Sequence, residues 1–209
     1  MRKLLFLTAA FLLLTGLAFG QSSIKPVIYA GGGISMPLSP STFSDYWKMG
    51  LGGGGGIGIQ INPNLELIGK VFYTTFGLDA DKIIKEAGAT GASIDGGDFN
   101  VVEFGLDIKY IFASSNPEAK FKPFIIAGLG MGSWKFTAAT VSGGGSSITL
   151  PFSAINETDF ALSGGAGFDM MFSPKMGVWL DVRYTMLMME GESTGYAPIR
   201  AGLKMILGS

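Results

Sequence analysis

The 209-residue sequence contains neither cysteine nor histidine. Without cysteine there is no disulfide framework, no thiol nucleophile and no thiolate metal site. Without histidine, Ser-His-Asp and Cys-His catalysis are excluded, as are the commonest zinc and haem ligands. Charge is sparse too: Asp, Glu, Lys and Arg make up 15% of the chain, with a formal net charge of −1. That balance leaves no basic footprint, so no nucleic-acid partner is expected. No acidic spacing supports a defined metal site, and no cofactor is expected. After the first twenty residues, no apolar run approaches the ~18 residues that a membrane-spanning helix requires. Yet the mean hydropathy of +0.40 is high for a soluble domain. The apolar residues must therefore be interleaved with something else, and the 33 glycines are much of it.

The start of the chain, "MRKLLFLTAAFLLLTGLAFGQSS", places Arg2 and Lys3 before an apolar run from Leu4 to Leu14 and ends it at Ala18-Phe19-Gly20. This is the layout of a secretory signal peptide. Residues 1–20 are expected to be cleaved, and 21–209 to form a single domain.

One motif invites a false reading. In "LGGGGGIGIQINPN", Gly53-Gly54-Gly55-Gly56-Ile57-Gly58 matches the dinucleotide fingerprint G-x-G-x-x-G. That fingerprint needs a following helix whose N-terminus holds the phosphates. Here an alternating run and the turn Asn62-Pro63-Asn64 follow instead, which makes a strand and a turn.

Alternation with a period of two organises the rest. In "MGVWLDVRYTMLM", Met176, Val178, Leu180, Val182, Tyr184, Met186 and Met188 share one face; Gly177, Trp179, Asp181, Arg183 and Thr185 share the other. "DFNVVEFGLDIKYIF" (98–112) and "APIRAGLKMIL" (197–207) follow the same rule. Five further strands are expected at about Lys25–Pro37, Lys48–Asn62, Leu65–Phe76, Lys122–Phe136 and Asp159–Phe172. "KPVIYAGGGI" at 25 echoes "KPFIIAGLGM" at 122, as repeated hairpins would. Links after even-numbered strands are short. Those after odd-numbered strands are mostly longer: 38–47, 77–98, 137–158 and the shorter 190–196. The fold class expected is all-β: an eight-stranded antiparallel up-and-down transmembrane barrel with short periplasmic turns and longer extracellular loops.

Alternation alone does not say which face is outside, since a soluble barrel has the same period with an apolar interior. The membrane version is favoured by a polar face made of small residues and by aromatics near the strand ends (Tyr73, Tyr110, Phe112, Phe160, Phe172, Tyr184). Balanced charge favours it as well. Glu66, Glu103, Asp107, Asp169 and Asp181 oppose Lys70, Lys109, Arg183, Arg200 and Lys204 on the polar face, five against five. Charges confined to a lumen need partners, and similar depth pairs Lys70 with Asp107 and Asp181 with Arg200. Such a network is expected to plug the barrel; the plainer alternative is wetted lumen side chains.

On "KPFIIAGLGMG", "INPNLELIGKVFY", "GGAGFDMMFSPKMGVWLDVRYT" and the closing strand, the chain resembles the small eight-stranded outer-membrane β-barrel family that includes the OmpA transmembrane domain, OmpX-like and OmpW-like proteins. The resemblance covers nearly the whole mature chain. It marks Arg200, Gly202, Met205 and Leu207 as the family's C-terminal insertion signal, with Leu207 where an aromatic residue usually stands and Gly208-Ser209 after it. It implies the outer membrane of a diderm bacterium, contact with membrane lipids and lipopolysaccharide, assembly by the barrel-assembly machinery, and a monomer. The family's acyltransferase and protease types rely on histidine, so no enzyme is expected.

Three functional expectations follow. The first is a structural and surface-display role, with an extracellular ligand held by loops. Its candidates are the aromatic patch Phe43, Tyr46 and Trp47, the helix candidate "DADKIIKEA" capped by Asp79 or Asp81, and the Gly/Ser-rich loop ending in "ITLPF". The alternative is a narrow channel or carrier for small or hydrophobic molecules, with Trp134, Trp179 and Phe72 lining an apolar chamber above the charges. A secreted soluble barrel binding a lipophile is a third, weaker option.

Overall fold

In a computed structural model, residues 25–112, 119–150 and 157–207 are described. The signal-peptide expectation at 1–20, Pro151 and Phe152 of "ITLPF", and Gly208-Ser209 lie outside them.

Eight long strands close an antiparallel barrel: β1 (Lys25–Ser39), β2 (Gly50–Asn62), β3 (Leu65–Phe76), β5 (Phe99–Ile111), β6 (Phe121–Phe136), β9 (Glu157–Met171), β10 (Met176–Met188) and β11 (Thr194–Ile206). Each pairs with its neighbour in sequence among these eight, and β1 pairs with β11 to close the ring. Alternation decides which side chains go where. On β10, Trp179, Asp181, Arg183 and Thr185 are buried, while Val182, Tyr184 and Met188 are exposed. The interior thus carries the charges and the exterior the apolar side chains, Ile57 reaching 71% exposure and Leu51 65%. A soluble barrel with an apolar interior is the inverse of this arrangement, and the lipophile-binding option falls with it.

The glycine stretch lies within β2, which turns at Pro63 and Asn64 into β3 with no helix. Its lumen-side glycines make room for the side chains of β3. A Cβ on Gly54 would lie 2.7 Å from Phe72 Cδ2 and would collide with the Val71 carbonyl oxygen. Gly31 does the same for Trp179, whose Cζ2 a Cβ would meet at 2.7 Å. An eight-stranded lumen is just wide enough to be filled by side chains, so bulk on one strand requires its absence on the next.

At the loop-bearing end the links carry structure of their own, of which the helix in "DADKIIKEA" with its Asp79 cap was expected and the rest was not. A short helix, α1 (Ser41–Tyr46), follows β1. A second, α2 (Ala80–Glu86), is capped by Asp79, whose side chain accepts from the Lys82 N–H. The links after β3 and β6 also contribute β4 (Ser93–Gly96), β7 (Ala139–Gly143) and β8 (Ser146–Leu150), which form a separate three-stranded sheet in the order β4-β7-β8. These strands are four or five residues long and Gly/Ser-rich, too short for alternation to reveal.

Candidate functional site

The lumen is filled in layers. Nearest the turns, Val27, Ile111, Phe124 and Ile68 pack with the half-buried Ile206. Among them sits a four-residue ion cluster from four strands. Lys109 Nζ is 2.6 and 2.7 Å from the two Asp169 carboxylate oxygens. Lys204 Nζ reaches Asp169 Oδ2 at 2.7 Å and Glu66 Oε1 at 2.6 Å. Tyr29 donates its hydroxyl to Glu66, and the Lys109 ammonium lies 4.0 Å over the Phe124 ring. Two acids face two bases, and all four are essentially sealed from solvent.

The middle of the barrel holds the other six charges. Asp181 receives Arg183 Nη2 at 2.8 Å and Arg200 Nε at 3.0 Å, on different oxygens. Arg183 Nη1 also binds Asp107 Oδ2 at 2.5 Å. Lys70 bridges Asp107 at 3.2 Å and Glu103 at 3.3 Å, and Tyr196 donates its hydroxyl to Glu103. The Lys70–Asp107 contact lacks hydrogen-bond alignment, and Asp107 Oδ1 is the buried side-chain oxygen without a hydrogen-bond partner among the described residues. Between the two clusters lies a cavity of about 40 Å³ lined by Tyr29, Lys70, Lys109, Trp179 and Arg200. It has room for roughly three waters, which would reach the unsatisfied oxygen.

All ten charged residues picked out by alternation thus enter one of two neutral clusters. The two tyrosines that complete them were missed: Tyr29 carries the inward parity of β1, whereas Tyr196 fell in the link expected at 190–196 and joins the barrel because β11 starts at Thr194. The insertion-signal residues separate. Arg200 and Gly202 face inward, whereas Met205 and Leu207 are each 38% exposed, with the Leu207 N–H donating to Pro26 O at 2.7 Å.

Toward the loops an aromatic layer covers the charges. Phe76, Phe99, Trp134 and Tyr196 pack together with Leu187, and α1 inserts Phe43 from above. The Phe43 ring centroid lies 5.0 Å from that of Phe76 and 5.4 Å from that of Phe99. The expected aromatic contact patch is therefore turned inward. Phe43 is 5% exposed, and Trp47 packs on Phe136 and donates its indole N–H to Gly97 O. Tyr46 alone faces outward, donating to Glu86 Oε2 at 2.9 Å and tying α1 to α2; this hydrogen bond to a carboxylate raises its pKa above the ordinary tyrosine value. The expected apolar chamber is corrected likewise. Trp134 joins the aromatic layer, Trp179 lies lower against Tyr29, and the Phe72 ring sits 4.9 Å from the Arg200 guanidinium. The strands are staggered, so equal sequence distance from a turn does not give equal depth.

An apolar band outside, a sealed polar interior, short turns at one end and built loops at the other define a membrane-spanning β-barrel. The chain belongs to the outer membrane protein beta-barrel domain family, whose pattern matches residues 6–198. Its fold is similar to that of Neisserial surface protein A, at 19% identity and a TM-score of 0.54, covering 89% of this chain and 98% of that one. OprG from Pseudomonas aeruginosa is similar at 14% identity and a TM-score of 0.52, over 91% of this chain and 99% of that one. A major outer membrane protein from Thermus thermophilus aligns at 12% identity and a TM-score of 0.55, over 89% and 100%. Comparison with curated protein sequences finds no match.

Proposed function

We propose that the protein is a non-conducting outer-membrane barrel with a structural and surface-display role. The observation that carries this reading is the filled lumen: apolar floor, two neutral ion clusters, aromatic cover. A conduit for small or hydrophobic molecules needs an open upper chamber, and Phe76, Phe99, Trp134 and Tyr196 occupy that level. On this reading residues 1–20 direct export, the barrel-assembly machinery inserts the chain through its last strand, and lipids and lipopolysaccharide surround it.

Display then falls on α2 and the β4-β7-β8 sheet rather than on α1. The links at that end carry Asp45, Asp79, Asp81, Glu86, Asp95, Asp98, Glu190 and Glu192 against Lys48, Lys82 and Lys85, an acidic surface. Ile148 and Leu150 on β8 are exposed there, at 65% and 46%. An extracellular ligand would meet this unit first.

Planar-bilayer recording of the refolded barrel tests the reading, with Arg200→Ala beside the wild type. Neither should conduct, because the variant keeps the aromatic cover and the Glu66–Lys204 cluster. Steady single-channel currents in the wild type would overturn the closed barrel and leave the conduit in its place.

A further inference from the structure

The two ends of the barrel carry opposite charge. Against the acidic loop end, the turn end holds Lys25, Lys120 and Lys175, all exposed, and Lys122, half-buried on β6. The acids of the lower lumen, Glu66 and Asp169, are taken up by Lys109 and Lys204. The one acid of the turn-side links, Glu118, lies outside the described residues. No ion-pair or hydrogen-bond partner for the ammonium groups of Lys25, Lys120 and Lys175 exists among the described residues.

Backbone hydrogen bonds set these three lysines on one arc. The Met171 N–H donates to Lys120 O at 2.7 Å, the Ile206 N–H to Lys175 O at 2.8 Å, and the Leu207 N–H to Pro26 O. Lys120 thus stands at the foot of β6, Lys175 at the foot of β10 and Lys25 at the foot of β1, in a wall ordered β6-β9-β10-β11-β1. Each lies two strand spacings from the next, about 10 Å along the rim. The wall beside this arc is apolar. Phe121, Phe172, Met176 and Met205 are exposed on it, and the Phe121 and Phe168 ring centroids lie 5.0 Å apart. Aromatic rings and lysines together mark the level of the lipid headgroups.

We propose that this arc binds anionic phospholipids of the periplasmic leaflet, with each lysine meeting the phosphate of one phosphatidylglycerol-type headgroup. The ammonium acts as a point charge, its alkyl stem lies on the apolar wall, and the acyl chains run over Phe121, Phe172, Met176 and Met205. A zwitterionic amine headgroup fits less well, because its ammonium brings more positive charge to an end that already has an excess of it. Lipopolysaccharide lies in the opposite leaflet and faces the acidic loops. This placement follows from turns that face the periplasm, as in the family's barrels, and conductance is indifferent to it.

The test is native mass spectrometry of the full barrel released from vesicles of equal phosphatidylglycerol and phosphatidylethanolamine. Wild type should retain phosphatidylglycerol with about fivefold preference, the ratio expected of one charge contact at a membrane surface. Lys25→Gln, Lys120→Gln and Lys175→Gln combined should equalise the two lipids, and the corresponding triple arginine variant should keep the preference. Lys135→Gln, at the loop end of β6, is the control and should retain the wild-type ratio. Folding of each variant is read from heat-modifiable gel mobility. Equal retention of both lipids by the wild type overturns the proposal whatever the variants do. So does an unchanged ratio in the folded triple glutamine variant, or loss of the preference in folded Lys135→Gln.

Discussion

Lys204 on β11 holds Glu66 on β3 at 2.6 Å, across the two strands β1 and β2 that separate them in the barrel wall. The residues are 138 positions apart in sequence. The pair spans the β1–β11 closure from inside, so the ring is locked by side chains as well as by backbone hydrogen bonds. Removing one partner of such a pair leaves an uncompensated buried charge, which typically destabilises by ~3–5 kcal/mol. Lys204→Met should therefore lower the urea midpoint of the refolded barrel sharply. Adding Glu66→Gln restores charge balance and should recover most of the loss; a double variant no better than the single would argue against the lock.

Phe43 is the one side chain that α1 contributes to the barrel mouth. Phe43→Ala removes its edge contacts with Phe76 and Phe99, at about 3–5 kcal/mol by the usual cost of such a truncation in a packed core. The expected signature is local. Protease should cut the segment between β1 and β2 sooner, and Trp47 emission should shift to the red while the barrel's far-ultraviolet spectrum holds.

Glycine on the lumen face of β2 is a volume requirement. Gly54→Val drives a side chain into Phe72 and the Val71 carbonyl, an overpacking that costs roughly 1–3 kcal/mol. The folded yield should fall and be partly recovered by Phe72→Ala. Gly164 on β9, where a Cβ would meet nothing within 4 Å, is the control: Gly164→Ala should fold as the wild type does.

Tyr46 titrates above an ordinary tyrosine because Glu86 holds its proton in a hydrogen bond. A folded pKa raised above the unfolded one means that the tie between α1 and α2 is complete below the unfolded value. It is lost as pH rises through the folded one. Near-ultraviolet titration, with Tyr46→Phe subtracted, should show this delayed midpoint; Glu86→Gln should bring it down.

The strands and their facing were legible because every barrel strand obeys one rule. Asp181 and Arg183 are buried and Val182 exposed for the same reason that Lys109 is buried and Ile108 exposed. The charge network followed, since ten inward ions of equal and opposite number, confined to a lumen, need partners. Depth was not legible. Trp179 and Trp134 have the same inward parity, but they lie in different layers because barrel stagger sets height. Of the loop elements, α2 and its Asp79 cap were legible in "DADKIIKEA", but α1 and the small sheet were hidden. "SSITL" becomes β8 only by pairing with β7, and nothing local in five exposed residues announces that partner. Phe43 reads as a surface aromatic until the empty mouth above Phe76 and Phe99 is known.

The small outer sheet has a consequence for how this protein can change over generations. β4 comes from the link after β3, and β7 and β8 from the link after β6, with Ser93–Gly96 registered against Ala139–Ser142. Two stretches of chain that would otherwise drift independently share one set of rungs. An insertion or deletion in either one unseats the other. The surface offered to the outside world is thus inherited as a pair, and its variants should arise by coordinated change in both links.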